Sequence, residues 1–157
     1  MVYGIVIYGF AMVLANLLVS WLGPAVTPIN AFVLIGLDLA LRDWLHMRLK
    51  TWQMGVLIIG TGLVTYLLNP DAGKIAFASS ASFVVAALVD WQVFKNVSGS
   101  WLKRSNISNT AGAAVDSLLF PTIAFGGLMP EIVAAQFVAK TVGGAVWAYL
   151  LKNRVPA

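Results

Sequence analysis

Five charged residues stand inside apolar stretches of this chain: Asp38, Arg42, Asp90, Asp116 and Lys140. Hydrocarbon cannot solvate them, so charges in such a setting pair with one another, relay protons or hold a polar ligand. Asp116 shows the size of the constraint. It lies at the centre of residues 107–127, and an Asp at the centre of a membrane helix costs about 2.5 to 3.5 kcal/mol, while each Leu, Ile, Phe or Val returns about 0.3 to 0.6. The seven such residues of that stretch only cancel Asp116, and Ser108, Asn109, Thr110, Ser117 and Pro121 remain uncompensated. This helix must face protein or water and not lipid.

The composition agrees. Of 157 residues 60% are hydrophobic and 10% charged, whereas soluble domains carry about a quarter charged residues. A bilayer core of about 30 Å takes about 20 helical residues to cross. Six apolar runs approach that length, at residues 2–22, 29–45, 52–68, 75–94, 107–127 and 131–151. The expected architecture is therefore an all-α polytopic membrane protein, one domain over residues 1–157 built as a bundle of six transmembrane helices. The first run has no Lys or Arg before it and exceeds the apolar core of a secretory signal, so it is read as a retained span.

Positive charge marks the cytoplasmic loops of such proteins. Arg48, Lys50, Lys95, Lys103, Arg104, Lys152 and Arg154 fall on one side by parity, against Lys74 alone on the other. Both termini are thus expected in the cytoplasm of a cell whose inner membrane holds the protein. The net charge of +4 reports this topology and no affinity for nucleic acid. Trp21, Trp44, Trp52, Trp91 and Tyr149 lie near predicted span ends as an aromatic belt, and Trp101 is expected in a loop, flat on the cytoplasmic headgroups. The absence of Cys removes thiolate metal sites and disulfides. His46, the single histidine, is read as interfacial because a lone His cannot build a metal site. No cofactor or metal is expected.

Depth sorts the polar residues into two layers. Asp38, Asp116 and Lys140 are each near the middle of their spans, whereas Arg42 follows Asp38 by one turn and Asp90 lies toward the cytoplasmic end of the fourth span. Three acids against two cations leave one acid to take up a proton or await a ligand. Stripes at helical spacing accompany them: Asn106, Asn109, Ala113, Asp116 and Phe120; Gln136, Lys140, Gly143, Gly144 and Trp147; Ser79, Phe83, Ala86 and Asp90; with Asn16 as the polar centre of the first span. They suggest a polar cavity inside the bundle, and the glycines are read as packing sites. A mid-membrane Asp in the second helix of each half, Asp38 and Asp116, is also compatible with inverted three-helix repeats.

In order along the chain, Leu37-Asp38-Leu-Ala-Leu-Arg42, Ala76-Phe-Ala-Ser-Ser80, Leu88-Val-Asp90-Trp-Gln-Val-Phe94, Ser105-Asn-Ile-Ser-Asn109, Asp116-Ser-Leu-Leu-Phe120, Ile123-Ala-Phe125 and Lys140 resemble the vitamin uptake transporter family, also called queuosine-precursor transporters. The resemblance implies import of a 7-deazapurine such as 7-cyano-7-deazaguanine, and kinship with the substrate-binding subunits of energy-coupling-factor transporters. The chemistry of a guanine-like base suits the residues independently. Its N1–H and exocyclic amine match a carboxylate, and its carbonyl matches a donor. Asp116 or Asp38 supplies the first and Lys140, Asn109 or Asn16 the second; Phe83, Phe120 or Trp147 covers the ring; Gln136 is counted with the substrate-binding residues; Arg42 and Asp90 serve as an ion pair or coupling site.

The expected partners are a small purine-like substrate and the lipid bilayer, with no nucleic acid and with a homodimer left open. The alternatives are an energy-coupling-factor-type subunit that depends on partner ATPases and a proton-coupled carrier of another small solute. An enzyme is not expected, since no metal-ligand cluster accompanies the acids. The topology is open to a direct check: a reporter active only outside the cytoplasm, fused after Ala157, is expected to stay silent, and strong activity refutes the assigned orientation.

Overall fold

The computed structural model describes residues 2–46 and 48–154; the side chains of His46, Thr51 and Arg154 fall outside the description, and with them the expectations for His46 and Arg154. Six helices follow one another: α1 (Val2–Leu22), α2 (Pro24–Leu45), α3 (Thr51–Leu68), α4 (Gly73–Asn96), α5 (Trp101–Phe125) and α6 (Pro130–Leu151). By length and composition α1, α2, α4 and α6 can cross a membrane, and Trp52–Leu68 of α3 is a shorter apolar helix. The all-α polytopic membrane fold expected from the hydropathy pattern is the fold found. Helix α5 is not among the apolar spans because a row of polar residues runs along it.

Polarity is distributed inside out relative to a water-soluble bundle. Ile59, Leu67, Phe77 and Leu88 point outward, while Arg42, Asp38, Asp90, Asn109, Gln136 and Lys140 are buried. Lipid accepts the first set, and only protein partners can accommodate the second. Between the helices the loops are short, so helix ends are closed locally. Gly126 adopts φ 80° and its N–H reaches Thr122 O at 3.1 Å to finish α5, a left-handed cap that glycine adopts without steric cost. The Asn69 side chain accepts from Asp71 N–H after α3 and donates to Ser20 on α1. Arg104 donates to the Phe94 carbonyl at the end of α4 and stacks on the Phe94 ring, and Lys152 lies over Tyr149.

Two expectations are corrected at the start of α5. The helix begins at Trp101 and not near Ile107, with the Ser100 hydroxyl accepting from Lys103 N–H as its N-cap. Trp101 is therefore a helical, half-buried residue, its indole N–H enclosed by protein, and not a loop residue lying on headgroups. The polar run Ser105-Asn-Ile-Ser looks like a loop by hydropathy, but Ser105 and Ser108 turn inward and are buried.

Helix α2 is irregular. After a 3-10 turn at Pro24–Val26 and one α-turn, it widens into a π-helical segment, Ala31–Ile35, before resuming as an α-helix at Gly36. The widening coincides with a backbone-to-backbone crossing of α6. A Cβ on Gly143 would run into the Phe32 carbonyl oxygen, and one on Gly36 would lie 2.7 Å from the Gly143 carbonyl carbon. The crossing is held from outside by Trp147, whose indole N–H donates to Val33 O at 3.1 Å. Gly143 is thus a packing glycine, as its spacing suggests, and Gly36 is the half of the pair that periodicity did not reveal. Gly112 plays a similar part between α5 and α4, where a Cβ would come within 3.2 Å of Asp90 and 3.6 Å of the Arg42 guanidinium.

Gly143→Ala is expected to destabilise the purified protein by about 1 to 3 kcal/mol, because backbone cannot move aside as a side-chain tip can. Gly60→Ala, in α3 with open space around it, is expected to be neutral or to stabilise by up to about 1 kcal/mol. Thermal denaturation in detergent measures both, and equal effects refute the close crossing.

Candidate functional site

Helices α5 and α6 place their polar rows face to face. Lys140 Nζ donates to Asp116 Oδ2 at 2.6 Å and to Gln136 Oε1, one turn earlier on its own helix, at 2.7 Å. The Phe120 ring lies 5.9 Å from the same nitrogen. An ammonium has three N–H bonds and no acceptor, so Asp116 and Gln136 fix the Lys140 head by engaging two of the three. Lys140 is almost wholly buried, whereas Asp116 keeps 17% of its side chain exposed. Its second oxygen remains free, and its first is taken.

Beside the ion pair lies a small polar cavity. It is walled by Asn16 and Ala15 of α1, Thr27, Asn30 and Ile35 of α2, Ser79 of α4, Phe120 of α5, and Gln136 and Lys140 of α6. Its volume is about 20 Å³, enough for one water-sized group. Two amides on its wall are each anchored at one end. Asn30 Nδ2 donates to the Ala15 carbonyl at 3.0 Å, and its Oδ1 has no partner. Gln136 gives its Oε1 to Lys140, and its Nε2 has no partner.

A second polar layer lies one to two turns along α2. Arg42 reaches Asp90 at 3.4 Å and packs its guanidinium 5.1 Å from the centre of the Phe83 ring. Asp43 accepts a short hydrogen bond from Ser105, which in turn accepts from Asn109 Nδ2 at 3.1 Å. Tyr8 faces Asp38, and the charges of Arg42, Asp116 and Lys140 act on that carboxyl group. Among the described residues no three acids converge as a metal site. The inventory of acids needs correcting: Asp43 is 4% exposed, so four acids, Asp38, Asp43, Asp90 and Asp116, face two cations, Arg42 and Lys140.

The structure therefore brings Asn16, Phe120, Gln136 and Lys140 together around one cavity, with Asp116 bound to Lys140 behind it. Asp38, Asn109 and Phe83 belong to the second layer, where Phe83 covers Arg42. Trp147 stands apart, half exposed on the α2 crossing. Arg42 and Asp90 form the ion pair expected of them. The residues sequence reasoning missed are Asn30, Thr27, Tyr8 and Asp43. Thr27 precedes the apolar run of α2 and looks like loop, and Asn30 is the second residue of that run, where it reads as part of an apolar span. Tyr8 carries one hydroxyl in an apolar helix, and Asp43 adjoins Arg42 on what a regular helix makes a different face. The unbroken Pro-Ile-Asn-Ala sequence after Thr27 was the available signal, since Pro at the first turn starts helices.

Over residues 2–151 the chain matches the family model described as "Putative vitamin uptake transporter". No curated protein and no solved structure matches it. An apolar exterior around a buried polar cavity is what carriage of a small polar solute through a bilayer demands, and with the match covering nearly all of its length the chain belongs to the vitamin uptake transporter family.

Proposed function

We propose that this membrane transporter imports a 7-deazapurine base, 7-cyano-7-deazaguanine or a close relative used as a queuosine precursor, across the inner membrane, with both termini in the cytoplasm. The observation that carries the reading is the cavity at Lys140. It offers donors, acceptors and one aromatic face, and no full charge left unpaired at its wall, which suits a neutral flat heterocycle. Phe120 supplies the ring contact, worth about 1 to 3 kcal/mol per base where aromatic side chains stack on bases. Asn16 and Lys140 donate toward a carbonyl, and the free oxygen of Asp116 is the acceptor for an exocyclic amine.

The cavity is too small for a bicyclic base in the conformation described. Loading then requires its wall to move, and the wall contributed by α2 contains the π-helical segment. Single-turn π segments are frequent at functional sites because they carry backbone whose hydrogen bonding can be exchanged. A second reading, proton-coupled uptake, is favoured by the excess of four acids over two cations, which transport can use by gaining and losing a proton.

Proteoliposomes containing the protein alone are expected to accumulate radiolabelled 7-cyano-7-deazaguanine. Uptake that needs no other protein excludes a subunit dependent on partner ATPases, and dissipation of the proton gradient by a protonophore separates coupled from facilitated entry. Absence of both uptake and binding refutes the proposed substrate.

Lys140→Met is expected to abolish uptake and to lower stability by about 3 to 5 kcal/mol, because it leaves Asp116 without its counter-charge. Adding Asp116→Asn is expected to restore stability while uptake stays lost. Normal transport by Lys140→Met refutes a role for the ion pair.

A further inference from the structure

The two cavity-lining amides have fixed orientations. A backbone carbonyl only accepts, so the Asn30 atom 3.0 Å from Ala15 O is the NH₂ group, and Oδ1 is the end left over. An ammonium only donates, so the Gln136 atom 2.7 Å from Lys140 Nζ is Oε1, and the NH₂ group is the end left over. Neither assignment can be flipped without setting donor against donor or acceptor against acceptor. Asn30 is 6% exposed and Gln136 1%, and the leftover atom of each is buried without a partner. A buried amide group left in that state is destabilising until a partner reaches it. Both residues line the same cavity of about 20 Å³.

We infer that Asn30 and Gln136 form a paired amide reader, Asn30 accepting from and Gln136 donating to a ligand that carries an N–H and a C=O next to each other on one edge of a flat ring. That edge is a lactam. Purine-6-ones, pterins and lumazines have it, whereas a carboxylate offers no donor and a ring with only bare nitrogens offers none either. Lys140, held by Asp116 and Gln136, keeps the Gln136 donor aimed by occupying the other end of its amide. This inference deepens the proposed base import and rests on the same cavity. It assigns specificity to Asn30, which the spacing of polar residues does not single out.

Equilibrium binding to the protein in detergent tests it, with 7-cyano-7-deazaguanine, hypoxanthine, guanine, pterin and lumazine as probes. Each is compared with its counterpart methylated on the lactam nitrogen, and thiamine serves as a ligand without such an edge. Methylation is expected to weaken binding about tenfold or more, the ratio that about 1.4 kcal/mol produces. Gln136→Glu keeps an acceptor for Lys140 and replaces the donor by a second acceptor, so it is expected to stay folded and to bind lactams about tenfold or more weakly. Asn30→Leu is expected to do the same. Should either variant fold poorly, the methylated series on the unaltered protein still decides.

Binding indifferent to methylation overturns the inference, as does Gln136→Glu binding as tightly as the unaltered protein. Failure of every lactam in the panel also overturns it. Binding of pterin or lumazine without 7-cyano-7-deazaguanine leaves the amide pair standing and refutes the deazapurine substrate.

Discussion

The ion pair between Lys140 and Asp116 is the interaction on which the rest of this bundle depends. Neither charge can be placed in hydrocarbon alone, so α5 and α6 must meet along the faces that carry them. Once they meet, Gln136 has one amide end committed and Phe120 lies against the ammonium, and the wall of the cavity follows. Buried ion pairs add little net stability over apolar packing, because desolvation offsets most of the attraction. Their value here is registry. A helix rotated or shifted by one turn leaves an uncompensated charge in the core.

The second layer obeys the same rule with a looser fit. Arg42 has one acid at 3.4 Å and an aromatic ring, while its other nitrogens have no hydrogen-bond partner. Such a guanidinium is held by surroundings more than by bonds. Tyr8 in turn meets Phe83 edge to face at 6.4 Å.

Much of this was legible in the sequence, for a physical reason. Hydropathy over 20 residues reports membrane spans because the bilayer imposes one length on all of them, and charges inside those spans report the interior because they have nowhere else to go. Asp116, Lys140, Arg42 and Asp90 were accordingly found, down to the pairing of Arg42 with Asp90. What escaped depends on departures from regular helix. The π-helical widening of α2 alters which residues share a face beyond it, and periodicity assumes a constant turn. Asn30 and Thr27 lie just before that widening, and Asp43 about two turns beyond it. Gly36 was silent for another reason, since a close backbone crossing is a property of two helices at once. Trp147 followed the polar stripe of α6 by spacing, but beyond Gly144 that face is turned to the surface of α2.

The polar row of α5 bears on how the protein reaches the bilayer at all. Ser105, Ser108, Asn109 and Ser117 are buried against neighbouring helices in the finished bundle, but on a nascent chain those neighbours are not all present. A helix with so little net preference for lipid is a poor substrate for the insertion machinery when it arrives alone. It follows α4 after the turn Val97-Ser-Gly-Ser100, and α4 is apolar enough to partition by itself. The two therefore suit entry as a preformed hairpin, α4 shielding one side of the row until α6 emerges with the lysine that neutralises Asp116. Membrane integration and assembly of the transport site are, for this helix, one event.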